Sequence, residues 1–207
     1  MIIKQLFLII LPFSLFYAVN SHLPKLKSNQ DINKILIPDK YARLISIGHK
    51  ELLSSILWID IIQNSTIVKD ESLFEYNRAG VISSLSPMFY QNYQFNSLTI
   101  SIVKDQFNNS NKLIKTGLQY FPIDYDLLFQ HGFNSFFLLE DRLDGINYFK
   151  KIYDENLYHG KNNNFPIIYS NVQKKIGHKE LSKKILYDLY ITTDNERLKK
   201  SLLKRLN

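Results

Sequence analysis

Two prolines, Pro87 and Pro122, constrain the fold of this chain more than any other feature. They lie 35 residues apart, and each follows a segment in which apolar residues recur every three or four positions. Proline ends a helix because its ring clashes with the preceding turn and because it has no N–H to donate. Each proline therefore marks the end of one helix and the approach to the next, and the interval between them is long enough for two helices.

The same periodicity predicts helices along the whole body of the chain. On the first of these helices, apolar residues form one stripe: Leu44, Ile47, Leu52, Ile56, Ile59 and Ile62. Only 7 Gly and 6 Pro leave little of the turn chemistry that a β-sandwich or barrel needs. The prediction is therefore an all-α domain with short connections. The predicted helices are residues 39–64, 72–86, 89–104, 108–121, one from near Asp124, 141–156, 166–176, 178–191 and 194–207.

Length and composition predict one globular domain, residues 39–207, behind an N-terminal leader. The chain has 207 residues, of which 45% are hydrophobic, enough to build a sizeable core. It has no Cys, which excludes disulfides, thiolate zinc sites and a cysteine nucleophile. The net charge of +7 is spread over most of the chain, which is typical of solvated helix faces. We therefore expect no nucleic-acid partner.

The N-terminus carries one charged side chain, Lys4, and then an apolar run from Leu6 to Val19. This pattern predicts that residues 1–20 are either a signal peptide or an uncleaved membrane-anchor helix. A buried core helix is disfavoured because Leu6 to Phe13 contains no polar side chain at helical spacing. Residues 21–38 are predicted to be a linker. Together these segments predict a protein anchored in, or exported across, a bacterial membrane, with an extracytoplasmic body.

Residues 129–152 carry the pattern of a known repeat. Gly132 and Gly145 occupy small-residue positions on two successive helices, Glu140-Asp141 falls between the helices, and Tyr148-Phe149 supplies an aromatic pair. With one residue near Phe136 treated as an insertion, this segment resembles a tetratricopeptide repeat. The resemblance extends more weakly over residues 88–190, where Ser110, Gly117 and Gly177 fill the corresponding small or turn positions.

The resemblance implies a right-handed α-solenoid of stacked antiparallel helix pairs behind the N-terminal hydrophobic helix, since one pair cannot bury its apolar faces alone. Such repeats bind proteins with the first helix of each pair. The polar and aromatic side chains predicted to line that groove are Gln91, Asn92, Gln94, Asn96, Thr99, Gln130, Asn134 and Phe137.

The sequence Ile47-Gly-His-Lys-Glu-Leu52 recurs as Ile176-Gly-His-Lys-Glu-Leu181. Gly48 falls inside the first predicted helix, whereas Gly177 falls at a predicted turn. We therefore interpret the recurrence as coincidence.

The chain shows no motif of a reaction class. Its five His residues lack the paired spacing of a metal site, and there is no glycine-rich phosphate loop and no Gly-x-Ser-x-Gly elbow. Acid pairs such as Glu140-Asp141 fall at helix starts, where carboxylates act as caps. We therefore expect no enzyme, no cofactor and no metal. The predicted function is an adaptor or assembly scaffold that binds a protein partner in the envelope. The alternatives are a structural subunit of a larger membrane complex and an enzyme on a helical scaffold.

The last quarter of the chain is the one strongly basic region. On the final helix, Arg197, Lys200, Lys204 and Arg205 stand against an apolar stripe of leucines, Leu198, Leu202, Leu203 and Leu206. One interpretation is a capping helix that covers the end of a helical array. The other is a docking site for an acidic protein or for anionic lipid headgroups.

Overall fold

The described residues are 39–64 and 73–206 of a computed structural model, and all their regular structure is helical. They belong to one compact unit that spans Leu36–Asn207. The helices are α1 (Asp39–Ile45), α2 (Lys50–Asn64), α3 (Phe74–Leu85), α4 (Tyr90–Leu98), α5 (Phe107–Leu118), α6 (Tyr125–Phe133), α7 (Arg142–Asp154), α8 (Phe165–Lys175), α9 (Lys179–Thr192) and α10 (Glu196–Leu206). A π-helical turn extends α4 at Thr99–Val103, and another extends α6 at Asn134–Leu138.

The all-α prediction is thus confirmed for this part of the chain, and most predicted helix bounds agree within about two residues. The predicted leader (residues 1–20) and linker (residues 21–38) lie outside the described residues. No described helix combines the length and the apolar character that crossing a bilayer requires.

One predicted helix is wrong: residues 39–64 form two helices, not one. The break falls at Ile47 and Gly48, whose φ angles are 42° and 83°. Both values lie in the left-handed region, which cannot continue a right-handed helix and which glycine adopts at least cost. The apolar periodicity runs through this break, and so the pattern alone concealed it.

The two Ile-Gly-His-Lys-Glu-Leu segments both place their glycine between two helices, which corrects the prediction that Gly48 lies inside one. The interpretation of the recurrence as coincidence stays a prediction. Gly48 and Gly177 both have a positive φ, 83° and 93°, just after a helix ends. The next helix begins two residues later in each case, at Lys50 and at Lys179. Glycine at this position is a common helix ending, because it satisfies carbonyl groups of the last turn without a Cβ clash.

The main packing contacts join helices that are one or two places apart along the chain. The most extensive neighbours are α8 with α9, α6 with α7, α4 with α5 and α2 with α3. Helices two places apart also pack, as α1 does with α3, α3 with α5 and α4 with α6. Each helix therefore buries its apolar side against helices close to it in sequence.

Small residues let the helices of three successive pairs approach closely. A Cβ on Gly145 would lie 2.6 Å from Cβ of Phe136 and 2.9 Å from the carbonyl oxygen of Gly132, so α6 and α7 nearly touch there. In the preceding pair, the Ser110 hydroxyl donates to the carbonyl of Ser97 at 2.8 Å. In the following pair, the Ser170 hydroxyl donates to the carbonyl of Ser182 at 3.0 Å. Gly132 and Gly145, the small residues that the sequence places on two successive helices, thus lie at the closest point between α6 and α7.

The segments that begin at Pro87 and Pro122 repeat the same backbone features at a spacing of 35 residues. The helix starts, the π-helical turns and the next helix start all correspond, and so do the positive φ angles of Asp105 (55°) and Glu140 (58°). A π-helical turn accommodates one extra residue within a helix. The residue treated as an insertion near Phe136 falls in such a turn, at Asn134–Leu138. The preceding helix pair has an equivalent π-helical turn at Thr99–Val103.

The side of α2 that faces the core is not its most regular apolar stripe. Ser54, Leu57 and Ile61 are the buried residues, and Leu57 and Ile61 pack with Val81, Ile82 and Leu85 of α3. The predicted stripe instead lies in solvent, and its six members are at least half exposed: Leu44, Ile47, Leu52, Ile56, Ile59 and Ile62. Because α2 is apolar on nearly all sides, periodicity could not select the buried one.

The last helix, α10, packs against α9 through Leu202, which is fully buried. Leu198 and Leu206 are partly buried, and Lys200, Lys204 and Arg205 are exposed. The helix therefore covers part of α9 and presents its basic side to water. Both interpretations of this helix, a cap and a dock, remain predictions.

The two glycines Gly145 and Gly80 give a matched test of the close approach. Gly145→Ala should lower the free energy of unfolding by about 1–3 kcal/mol, because its Cβ has no room. Gly80→Ala on α3 should raise it by about 0.5–1 kcal/mol, because no atom lies within 4 Å of the new Cβ and alanine favours a helix. Urea unfolding followed by circular dichroism measures both changes. Equal effects of the two substitutions would contradict the packing described.

Candidate partner-binding surface

The structure divides the eight predicted groove residues into two groups. The side chains of Gln91, Gln94, Thr99 and Phe137 are exposed or partly exposed, so a role in partner binding stays a prediction for them. The other four are buried, which corrects the expectation that they line an open groove: Asn92, Asn96, Gln130 and Asn134. The amide groups of Asn92, Gln130 and Asn134 bond to neighbouring helices instead, and that of Asn96 bonds to Asn92 on its own helix.

Asn92 and Asn96 connect α4 to α3. The Asn92 amide donates to the carbonyl of Ala79 at 3.0 Å and to the Ser83 hydroxyl at 2.9 Å. The Asn96 amide donates to the Asn92 side-chain oxygen at 2.8 Å. Burying an amide is costly unless it is hydrogen-bonded, and the bonds of Asn92 offset that cost. Asn92 therefore stabilises the interface between the two helices, whereas the buried side-chain oxygen of Asn96 has no hydrogen-bond partner among the described residues.

Gln130 and Asn134 connect α6 to α4. The Ser97 hydroxyl donates to the Gln130 side-chain oxygen, and the Ser101 hydroxyl donates to that of Asn134, both at 2.9 Å. Each helix contributes groups four residues apart, so the two helices lie side by side and point in the same direction. We call these buried polar side chains the polar ladder. It consists of three hydrogen-bonded groups: Asn92 with Asn96, Ser97 with Gln130, and Ser101 with Asn134, Ser110, Asn111 and Ser135.

The polar ladder ends at a cluster of Ser135, His131 and Asp144. The Ser135 hydroxyl donates to Asp144 at 2.7 Å and lies 3.2 Å from Nδ1 of His131. Asp144 is also 3.4 Å from the same Nδ1. A nucleophilic serine needs a base that takes its proton and a path for substrate. Here the hydroxyl proton points to a carboxylate, and Ser135 is buried at 1% exposure, so the arrangement orients side chains within the core.

Burial lowers the pKa of His131 to about 4, although the nearby Asp144 carboxylate opposes the shift. Lys115, which lies 3.8 Å from Asp144, lowers the pKa of His131 further. The imidazole also stacks on Tyr148, with ring centroids 3.9 Å apart and planes 18° apart. The ring is therefore neutral at pH 7 and packs as part of the core.

A second charged pair is buried between α3 and the π-helical turn after α4. Lys104 lies 3.2 Å from Glu75, and both side chains are almost fully enclosed. Such a pair stabilises little by itself, but the loss of one partner leaves an uncompensated buried charge. Sequence reasoning missed this pair because a lone Lys after an apolar run gives no signal of its partner.

A row of exposed apolar side chains crosses α4 and α6. Phe95, Leu98 and Ile102 are 42%, 41% and 68% exposed, and Phe133 and Phe137 are 40% and 39% exposed. Leu98 and Phe133 occupy equivalent positions in two helices that lie side by side, as do Ile102 and Phe137. The two rows therefore lie on the same side. We call the surface formed by Phe95, Leu98, Ile102, Phe133, Phe137 and Leu138 the apolar face.

Aromatic contacts hold the apolar face in a defined conformation. Along α6 and its π-helical turn, Phe133 lies 6.3 Å from Phe129 and 5.0 Å from Phe137, measured between ring centroids. The ammonium group of Lys175 lies 5.3 Å from the centre of the Phe137 ring, within cation–π range. On the α4 side, Trp58 of α2 meets Phe95 edge to face at 5.2 Å. These contacts thus fix the three rings of the face, Phe95, Phe133 and Phe137.

Sequence reasoning missed most of the apolar face because it assigned large apolar residues to the core and polar ones to the groove. The signal that could have found it is the spacing of 35 residues. Leu98 and Ile102 are matched by Phe133 and Phe137 at that spacing, on the side of each helix opposite to the buried serines and asparagines. Two unrelated exposed residues would not be expected to recur in this way.

Across residues 39–64 and 73–206, no group of three or more histidine and carboxylate side chains converges as a metal site requires. That no metal or cofactor is bound stays a prediction. Neither a known protein family, nor a curated protein, nor a solved structure matches this chain.

The lowered pKa of His131 makes stability depend on pH. Above pH 6.5 the ring is neutral in the folded and the unfolded chain. As the pH falls from about 6.5 towards 4, only the unfolded chain binds the proton, so stability should fall by up to about 1.4 kcal/mol per pH unit.

Urea unfolding between pH 7 and 4.5 measures this dependence. His131→Gln should flatten the slope in that window, whereas the exposed His159→Gln should keep it. An unchanged slope in His131→Gln would show that other groups cause the pH dependence.

Proposed function

We propose that this chain is a non-catalytic adaptor or assembly scaffold that is tethered to a bacterial membrane, or exported across it, and that binds a protein partner. Its body would be a tetratricopeptide-like, right-handed α-solenoid of stacked antiparallel helix pairs. Three observations support that arrangement: packing between helices one or two places apart, backbone features that recur after 35 residues, and small residues at the closest point of three successive pairs.

The apolar face is the observation that carries the binding proposal. Monomeric soluble proteins rarely expose large contiguous apolar patches, and such patches mark interaction sites. The exposed side chains of α4 follow one another at three and four residues, the spacing that also suits an apolar stripe on a partner helix. The partner would therefore be a protein segment that forms an amphipathic helix and lays its apolar side on this face.

Charges beside the apolar face favour an acidic flank on that partner helix. Lys174 and Lys175, at the end of α8, are exposed, and Lys175 already reaches the ring of Phe137. A carboxylate on the partner could approach both ammonium groups. Charges at the rim of an interface add mainly to the rate and specificity of binding, so the apolar contacts would supply most of the affinity.

The chain contains a single Trp, and Trp58 packs against Phe95 at the edge of the apolar face. A photocrosslinker placed at Leu98 in cells should therefore identify a partner segment by mass spectrometry, and a synthetic peptide of that segment should change the fluorescence of Trp58. We expect the double substitution Leu98→Glu/Ile102→Glu to weaken the peptide at least tenfold, or about 1.4 kcal/mol. Leu143→Glu, on an exposed position of α7, is the matched control.

The adaptor proposal requires the double substitution and the control to differ, with both proteins folded by circular dichroism. Equal binding by the two variants would contradict a role for the apolar face. Failure to crosslink any segment from Leu98, while other exposed positions do crosslink, would contradict it as well.

The exposed side of α1 and α2 favours a second candidate, a structural subunit of a larger membrane complex. Tyr41, Leu44, Ile56 and Ile59 are all more than half exposed, and they belong to helices next to the predicted linker. Permanent interfaces are larger and more hydrophobic than transient ones, so a second apolar surface is what a permanent subunit would present.

A sucrose gradient of solubilised membranes separates the two candidates. Migration as a free chain favours the adaptor, and migration in a stable large particle favours the subunit. In the second case, Ile56→Glu/Ile59→Glu should release the chain from the particle, since buried charges are costly, while Leu143→Glu should not. If Ile56→Glu/Ile59→Glu leaves the chain in the particle, as the control does, a role for the α1 and α2 surface is contradicted.

A further inference from the structure

A separate cleft of about 450 Å³ lies near the C-terminal end of the described helices, on different elements from the apolar face. It is formed by the end of α7, the connection that follows it, and α9 with the start of α10. Its polar lining includes Tyr153, Tyr158, Asp188 and Asp194. Its apolar lining includes Ile185, Leu189 and Leu198.

Two tyrosine rings form one wall of the cleft. Tyr153 and Tyr158 lie with their centroids 6.1 Å apart and their planes within 12° of parallel. Each ring also contacts other rings: Tyr153 contacts Tyr169 at 5.1 Å, and Tyr158 contacts Phe165 at 5.7 Å and His159 at 4.5 Å, measured between centroids. The rings are therefore held in place before any ligand binds. The faces of such rings carry negative electrostatic potential and attract cations.

Two carboxylates in the lining are not neutralised by the chain itself. Within the described residues, neither Asp188 nor Asp194 has a side-chain hydrogen bond or an ion pair, although the whole chain carries 26 Lys and Arg residues. By contrast, Asp126 pairs with Lys161, and Asp154 pairs with Lys150. Asp188 is partly buried, so part of its hydration is already lost.

Two helices also present their C-terminal ends to the cleft. Tyr153 lies in the last turn of α7, and Asn156 follows that helix; Thr192 and Thr193 mark the end of α9. The C-terminal end of a helix carries a partial negative charge that favours cations. Ring faces, carboxylates and helix ends thus all favour positive charge in the same cavity.

We propose that this cleft binds a small organic ammonium ion with an alkyl chain. The charged end lies at Asp188 and Asp194, and the chain packs against the tyrosine rings and against Leu189 and Leu198. A metal ion fits less well, because the described residues hold no convergent group of three histidines or carboxylates. An anion is repelled by the carboxylates and by both helix ends.

The test uses three probes of similar length and shape but different charge: cadaverine, 1,5-pentanediol and glutarate. Ligand-observed NMR titration with the full chain in detergent measures their binding, and protein-observed spectra with labelled tyrosines show where they bind. We expect cadaverine to bind in the millimolar range and to shift the aromatic resonances of Tyr153 and Tyr158, whereas the diol and the diacid should do neither. Absence of cadaverine binding up to 20 mM, or shifts elsewhere only, would overturn the proposal.

Substitutions that preserve size locate the charge requirement. Asp188→Asn/Asp194→Asn should weaken cadaverine about tenfold. The control Glu51→Gln/Glu140→Gln makes the same change in net charge at exposed side chains outside the cleft and should stay within twofold of the wild type. Equal weakening by both double variants would mean general attraction to the surface and would also overturn the proposal. Leu98→Glu/Ile102→Glu should leave cadaverine binding intact, so the outcome is independent of the proposed adaptor function.

Discussion

The close approach of paired helices at small residues is the constraint on which the rest of the structure depends. Gly132 and Gly145 bring α6 and α7 so near that a single methyl group would not fit, and Ser97 with Ser110 and Ser170 with Ser182 do the same in the adjacent pairs. Close packing of this kind brings large side chains such as Phe149 and Ile114 into the interior. It also brings polar groups of neighbouring helices within hydrogen-bond distance, and so the polar ladder can form.

Much of the fold could be predicted because its signals are local. Pro87 and Pro122 mark helix ends through their covalent structure, and Asp124 and Asp141 cap the helices that follow them. Other features depend on which helices pack against each other and through which sides, and the periodicity of a single sequence does not specify this packing. The exposed stripe on α2 and the buried Asn92 and Asn96 are of this kind. An apolar residue at helical spacing can face the core or a partner, and an asparagine can face water or another asparagine.

For the candidate site, the sequence indicated which helices form it but not which of their side chains are exposed. Placing it on α4 and α6 followed from the resemblance to a repeat, and Phe137 does lie on the apolar face. The chemistry of the site was expected to be mainly polar, because polar residues on a helix are usually exposed. In this chain several polar side chains of α4 and α6, such as Asn92 and Gln130, are buried and hydrogen-bonded, while apolar ones such as Leu98 and Phe133 lie on the outer surface. Predicting this arrangement from sequence would require knowing which side of each helix packs against its neighbours.

The polar ladder also determines how far one helix can move along another. Contacts between apolar surfaces are tolerant of small sliding, because one methyl group can replace another at little cost. Bonds such as Ser97 to Gln130 and Ser101 to Asn134 form only when α4 and α6 have one axial alignment, and a shift of one residue would leave several buried amides unsatisfied. The spacing between Leu98 and Phe133 on the opposite side is set by that same alignment. The interior hydrogen bonds thus set the separation of the apolar side chains on the outer surface, so that surface has one fixed geometry.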